Sequence, residues 1–125
     1  MKLSNSYIGL PEEFYQVVNP TPVRNPKTLI FNEDLADSLD IKLKDEEVSN
    51  FFSGNGLPED SVPIALNYAG HQFGNFVQQL GDGRAVLLGE INTKHGTYDL
   101  QLKGSGKTIF SRQGDGRSAL GPVIR

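Results

Sequence analysis

The chain has 125 residues, 37% of them apolar, with 14 Gly, 7 Pro, no Cys and a formal net charge of −3. That length supports one domain with a modest core, and the Gly and Pro content points to loops and tight turns in place of a helical bundle. The lack of Cys excludes disulfides, thiolate metal sites and a cysteine nucleophile, and no run of about 20 apolar residues is present to cross a membrane.

The charge is unevenly spread. Residues 1–80 carry 5 Lys and Arg against 11 Asp and Glu, whereas residues 81–125 carry 7 against 4. Nine of the 14 Gly also lie after residue 80. A glycine-rich, locally basic half suits a phosphate-bearing ligand. It is too mildly basic, and too poor in aromatic RNA-binding motifs, for a nucleic-acid partner. No apolar run follows the N-terminus, so no secretory leader is expected and a cytoplasmic location is.

In chain order, Pro11, Pro20, Pro22 and Pro26 disfavour a long helix before residue 28. One or two helical turns fit Glu12 to Val18. A short helix is predicted after Asn32, which can cap it, with Glu33 and Asp34 in the first turn and Leu35 and Leu39 one turn apart. A second is predicted from Asp45 to Phe52, with Val48, Phe51 and Phe52 on one face and Ser53-Gly54-Asn55-Gly56 ending it. Residues 54–63 form a turn-rich connector. Residues 1–63 are thus expected to be an extension, and 64–125 the part that carries the chemistry. The stretch from Ile64 to Phe76 has no clear period.

Ala85 to Ile91 is apolar and short enough for a strand. Asn92 to Gly96 is expected as a five-residue loop. Thr97 to Lys103 alternates, with Tyr98, Leu100 and Leu102 on one face and Asp99, Gln101 and Lys103 on the other, so the pair is a predicted β-hairpin. A second glycine-rich stretch runs from Gly104 to Gly116. Ser118 to Arg125 begins a helix in which Pro122 is tolerated in the first turn. The chain stops there with no stop signal, which reads as a cut.

Gly81-Asp82-Gly83-Arg84 precedes the first hairpin strand. Its glycines allow a tight turn with N–H groups near an anion, and Arg84 offers a planar charged fork. An ordinary turn before a strand is the plainer alternative. Lys103 follows that turn by about 20 residues, across the hairpin. This is the layout of a protein-kinase N-lobe, where a glycine turn covers phosphates and a strand lysine grips them. The third glycine of the kinase loop is absent, since Val86 stands there. Gly104-Ser105-Gly106-Lys107-Thr108 mimics the end of a Walker A loop, but position 101 is Gln and no βαβ unit surrounds it. His71 and His95 have no metal-ligand spacing. His95 is expected in a loop, and His71 to be hydrogen-bonded and partly buried.

Tyr68-Ala69-Gly70-His71-Gln72-Phe73-Gly74, Gln79-Leu80-Gly81-Asp82-Gly83-Arg84-Ala85, Leu102-Lys103-Gly104-Ser105-Gly106 and Ser111-Arg112-Gln113-Gly114-Asp115-Gly116-Arg117 together resemble the selenoprotein O family, as does Asn19-Pro20-Thr21-Pro22. The resemblance runs in order from about residue 14 to residue 125. It implies an α+β, protein-kinase-like N-lobe with an antiparallel sheet and short helices, ending before the catalytic lobe. It implies ATP bound flipped relative to kinases, and AMP transferred to Ser, Thr or Tyr hydroxyls of proteins.

On matching positions, the resemblance implies nucleotide contacts from Gly81, Gly83, Arg84, Lys103, Asp115 and Gly116. It implies Mg2+ or Mn2+ whose ligands, like the catalytic Asp and the Glu partner of Lys103, lie beyond residue 125. The chain alone is then expected to be inactive, to fray from Ser118 onward and to self-associate through its exposed inter-lobe surface. A γ-phosphate-transferring kinase and a non-catalytic nucleotide-binding module remain as alternatives.

Overall fold

A computed structural model describes residues 2–59 and 61–124, the side chains of Pro122 and Ile124 excepted. Over these residues the protein is α+β, with a four-stranded antiparallel sheet, a two-stranded hairpin and three short α-helices. Strands are β1 (Tyr15–Val17), β2 (Ile64–Leu66), β3 (Gly70–Gln72), β4 (Asn75–Val77), β5 (Ala85–Thr93) and β6 (Gly96–Lys103). Helices are α1 (Glu33–Ser38), α2 (Asp45–Phe52) and α3 (Leu120–Ile124).

Both internal helices form for the reasons their sequence gives. Asn32 Oδ1 accepts from the Leu35 amide at 2.9 Å, satisfying one orphan donor of α1. In α2 the Glu47 carboxylate reaches back to the Lys44 amide at 2.8 Å. Val48 and Phe51 of α2 are buried, and Phe52 packs edge-on to Phe51 with ring centroids 5.0 Å apart. Gly54, at φ 83, ends the helix in a left-handed turn. In α1 the buried residue is Ala36, while Leu35 stays exposed.

The main sheet has the order β1-β2-β5-β6. Strand β5 pairs with β6 along its length and meets β2 at Leu87, and Ala85, Val86, Leu87 and Leu88 are all buried, which explains its unbroken apolar run. Val86 and Leu88 join Phe51 and Leu102 in one core cluster; Ile91 joins Ala36 and Ile41 in another. Sheet and core therefore draw on residues from both sides of position 63. A bulge between Leu87 and Gly89 shifts the β5–β6 register. Gly89, at φ 142, lets Ser4 approach, and Ser4 bridges Glu90 where β2 no longer covers β5.

Four details differ from the sequence expectations. The region from Glu12 holds a single 3-10 turn, Glu12–Phe14, and then turns into β1, which pairs with β2. The hairpin loop expected at Asn92 to Gly96 shrinks to Lys94 and His95, because Asn92 pairs with Thr97 and Thr93 with Gly96. His71 is exposed, not partly buried, and its ring lies edge-on to Phe76 of the paired strand, centroids 5.6 Å apart. The helix expected from Ser118 starts at Leu120, and its expected last residue, Arg125, lies outside the described residues. No helix among the described residues is long and apolar enough to cross a membrane.

Candidate functional site: a cationic cleft on the polar face of the hairpin

Alternation along β6 sets the site. Leu102 points into the core against Phe51, so Gln101 and Lys103 face the opposite side. There they line a cleft of about 440 Å3 with Gly81, Asp82, Gly83 and Arg84. Lys103 is the ladder partner of Ala85, and the Gly104 amide donates to the Arg84 carbonyl at 2.6 Å. The turn before β5 and the end of β6 are thereby fixed side by side, which brings Arg84 and Lys103 together.

Asp82 organises this turn, and sequence reasoning assigned it no role. Its carboxylate is buried, accepting from the Tyr68 hydroxyl at 3.0 Å, the Leu66 amide at 3.1 Å and Gln101 Nε2 at 3.4 Å. Every donor is neutral. Burial, followed by the bond to Asp82 and its charge, raises the Tyr68 phenol above its ordinary value.

The second glycine-rich stretch folds directly onto the first. Thr108 Oγ1 donates to the Asp82 carbonyl and Ser111 Oγ to the Gly83 carbonyl, both at 2.6 Å. The Phe110 ring lies against Gly81, which has φ 63, and a β-carbon at Gly81 would collide with that ring. A β-carbon at Gly83 would come 2.9 Å from the Phe110 carbonyl oxygen. Both glycines are thus required by the packing of residues 108–111. The Gly81 and Asp82 amides donate to the Tyr68 and Leu66 carbonyls. Those of Gly83 and Arg84 donate to no backbone or side-chain acceptor among the described residues.

The cleft is cationic. Arg84, Lys103 and Arg112 line it and are exposed. The one ion pair among the described residues is Lys42 with Asp40, at 2.8 Å, so none of the three cleft cations has a carboxylate partner there. Three positive groups around a turn with two free amides are an arrangement that can hold a polyanion.

Of the six residues expected to contact a nucleotide, Gly81, Gly83, Arg84 and Lys103 share this cleft, and Asp115 and Gly116 lie outside its lining. Asp115 Oδ1 accepts from the Arg117 amide at 2.8 Å, a local turn bond. Gly116, at φ 71, is buried against Gly106, whose amide donates to the Gly116 carbonyl at 3.2 Å. The Thr21 amide donates to the Ser105 carbonyl at 2.7 Å, so the Asn19–Pro22 segment docks on the same stretch. Lys107 is exposed and outside the cleft, and no helix follows it until Leu120, so the Walker-like stretch builds no P-loop.

The described residues do not by themselves build a divalent-metal site. No group of three or more His, Asp or Glu with metal-site geometry occurs among the described residues, and the cleft carboxylate of Asp82 already accepts three hydrogen bonds.

Comparison with known proteins decides the family. The model of the family described as protein adenylyltransferase SelO matches residues 1–125. The chain belongs to the SelO family. Relatives of this SelO chain include the protein nucleotidyltransferase YdiU of Maridesulfovibrio salexigens, 56% identical over 128 residues, covering 100% of the chain and 26% of that protein. The protein of the same name from Agrobacterium fabrum is 56% identical over 129 residues, with the same coverage. That of Roseobacter denitrificans is 58% identical over 123 residues, covering 97% of the chain and 26% of that protein. The SelO chain thus spans about a quarter of the length of these relatives.

Proposed function

We propose that this chain forms the nucleotide-binding part of a protein adenylyltransferase with a protein-kinase-like fold. The enzyme transfers AMP from ATP to Ser, Thr or Tyr hydroxyls of proteins and releases pyrophosphate. The observation that carries the reading is the cleft in which Arg84 and Lys103 stand beside the Gly81–Arg84 turn without a carboxylate partner. Membership of the SelO family supports the nucleotidyl-transfer chemistry.

In this reading Lys103 and Arg84 hold phosphate oxygens, and the free amides of Gly83 and Arg84 add neutral donors. The hydroxyl oxygen of the protein substrate bonds to the α-phosphorus, and the α–β phosphoanhydride bond breaks. Pyrophosphate leaves with the electron pair of that bond. The hydroxyl proton passes to a base outside these 125 residues. Negative charge grows on the leaving phosphates as the bond breaks, and the two cations stabilise it most at that point. A nucleotide that extends from the cleft toward residues 114–117 meets Asp115 and Gly116.

Labelled ATP tests the reading in a protein of the relatives' full length that contains this chain. Protein-bound α-label that disappears in Lys103→Ala supports AMP transfer. Protein-bound γ-label identifies a kinase and overturns it. Neither label leaves a nucleotide-binding module without transfer.

A further inference from the structure

Arg112 stands in the cleft beside the cations assigned above, on a different element. Its segment is held tightly. Ser111 is anchored to the Gly83 carbonyl, the Thr108 amide donates to Ser111 Oγ at 2.8 Å, and the Gly114 amide donates to the Ser111 carbonyl at 2.9 Å. Arg112 itself has φ 55, a left-handed conformation that costs a residue with a β-carbon free energy. Glycine would occupy the position without strain. The backbone thus carries strain, and the turn it makes aims an exposed guanidinium into the cleft.

That guanidinium has one partner among the described residues. Nη1 donates to Gln72 Oε1 of β3 at 3.3 Å, a long bond to a neutral acceptor. A phosphate oxygen would form a shorter, charge-assisted and bidentate contact. Gln72 lines the same cleft, so the exchange needs only a side-chain movement.

We infer that Arg112 is a third phosphate-contacting residue of the cleft, which trades its bond to Gln72 for the polyphosphate of a bound nucleoside triphosphate. The inference rests on the nucleotide-binding reading above. Arg84 and Lys103 grip the polyphosphate from the hairpin side, and Arg112 closes over it from the second glycine-rich segment. The three cations converge from the turn, from β6 and from residues 108–114.

Calorimetric titration with ATP and, separately, with adenosine, in a protein of the relatives' full length that contains this chain, tests this. The variants are Arg112→Ala, Arg112→Lys and, as a reference for the cleft, Lys103→Ala. Arg112→Ala is expected to weaken ATP binding about tenfold, the loss of one charge-assisted contact, with adenosine binding unchanged. Arg112→Lys is expected to restore part of the loss, since an ammonium group lacks the planar fork. Thermal unfolding of Arg112→Ala should match the parent, because the side chain is exposed. If Lys103→Ala weakens ATP binding and Arg112→Ala does not, the inference is overturned while the nucleotide-binding reading stands. Equal losses for ATP and adenosine assign Arg112 a structural role and also overturn it. If the full-length parent binds no ATP, the nucleotide-binding reading falls first and the inference falls with it.

Discussion

Ser111 Oγ donates to the Gly83 carbonyl at 2.6 Å, joining two residues 28 positions apart in the chain. With the matching bond from Thr108 Oγ1 to the Asp82 carbonyl, it clamps the second glycine-rich segment onto the first. The cleft is therefore a composite of two segments. Ser111→Ala removes one clamp and leaves a half-buried carbonyl short of its donor. It should cost about 1 kcal/mol of stability. Urea unfolding measures the stability, and ATP titration should show weaker binding in parallel. Unchanged stability and unchanged binding would mean that the bond contributes nothing to the site.

Gly81→Ala should do more damage. The position has φ 63, and the new methyl group would meet the Phe110 ring. Left-handed strain alone costs about 1–2 kcal/mol, and the displaced ring loosens residues 108–111. Gly81→Ala combined with Phe110→Ala relieves the collision and keeps the strain. The double variant should therefore lose less than the sum of the two single losses. Additive losses would show that the ring and the glycine are not coupled.

Asp82 is the buried anchor of the turn. Asp82→Ala strands the Leu66 amide and the Tyr68 hydroxyl, and should cost about 2–3 kcal/mol. Asp82→Asn keeps the shape but turns one acceptor into a donor, so it should fall between the parent and Asp82→Ala. Chemical denaturation of the three proteins checks the order.

Tyr68 gives the stability a signature at high pH. Burial and the nearby Asp82 raise its phenol above the ordinary 10.0 in the folded state. A raised value favours the folded state while the phenol stays protonated in both states. That contribution is complete below about pH 10 and is lost as the pH climbs through the folded value. The stability difference between the parent and Tyr68→Phe should therefore be level up to about pH 9 and shrink by about pH 11. A difference that stays constant over this range would contradict the assignment.

How much of this was legible in the sequence follows physical lines. Helix α1 was visible through its Asn32 cap and α2 through its apolar face of Val48 and Phe51, signals that act within one or two turns. Strands β5 and β6 were visible through composition and alternation. Strands β1 and β2, of three residues each, are too short to show a period, and their pairing joins Tyr15 to Leu66. The β3–β4 hairpin was hidden by its turn. Phe73 and Gly74 both have positive φ, 53 and 78, and a bulky aromatic is a poor signal for such a turn. At the site, Arg84 and Lys103 were legible from the turn-then-strand spacing. The part played by Asp82 was not, because Tyr68 and Leu66 reach it from another strand and its flank. Arg112 was equally hidden, since a strained loop arginine has no sequence pattern and its cleft exists only after residues 108–111 fold back.

The central claim is that the cleft between the Gly81–Arg84 turn and Lys103 binds a nucleotide through its phosphates. Titrating the isotopically labelled chain with ATP, while following backbone amides by NMR, tests it most directly. The account predicts that the Gly83, Arg84 and Lys103 amides shift together, and that Lys103→Ala weakens the response. Shifts confined to the apolar groove lined by Leu29, Ile30 and Leu35, or no shifts at all, would contradict it.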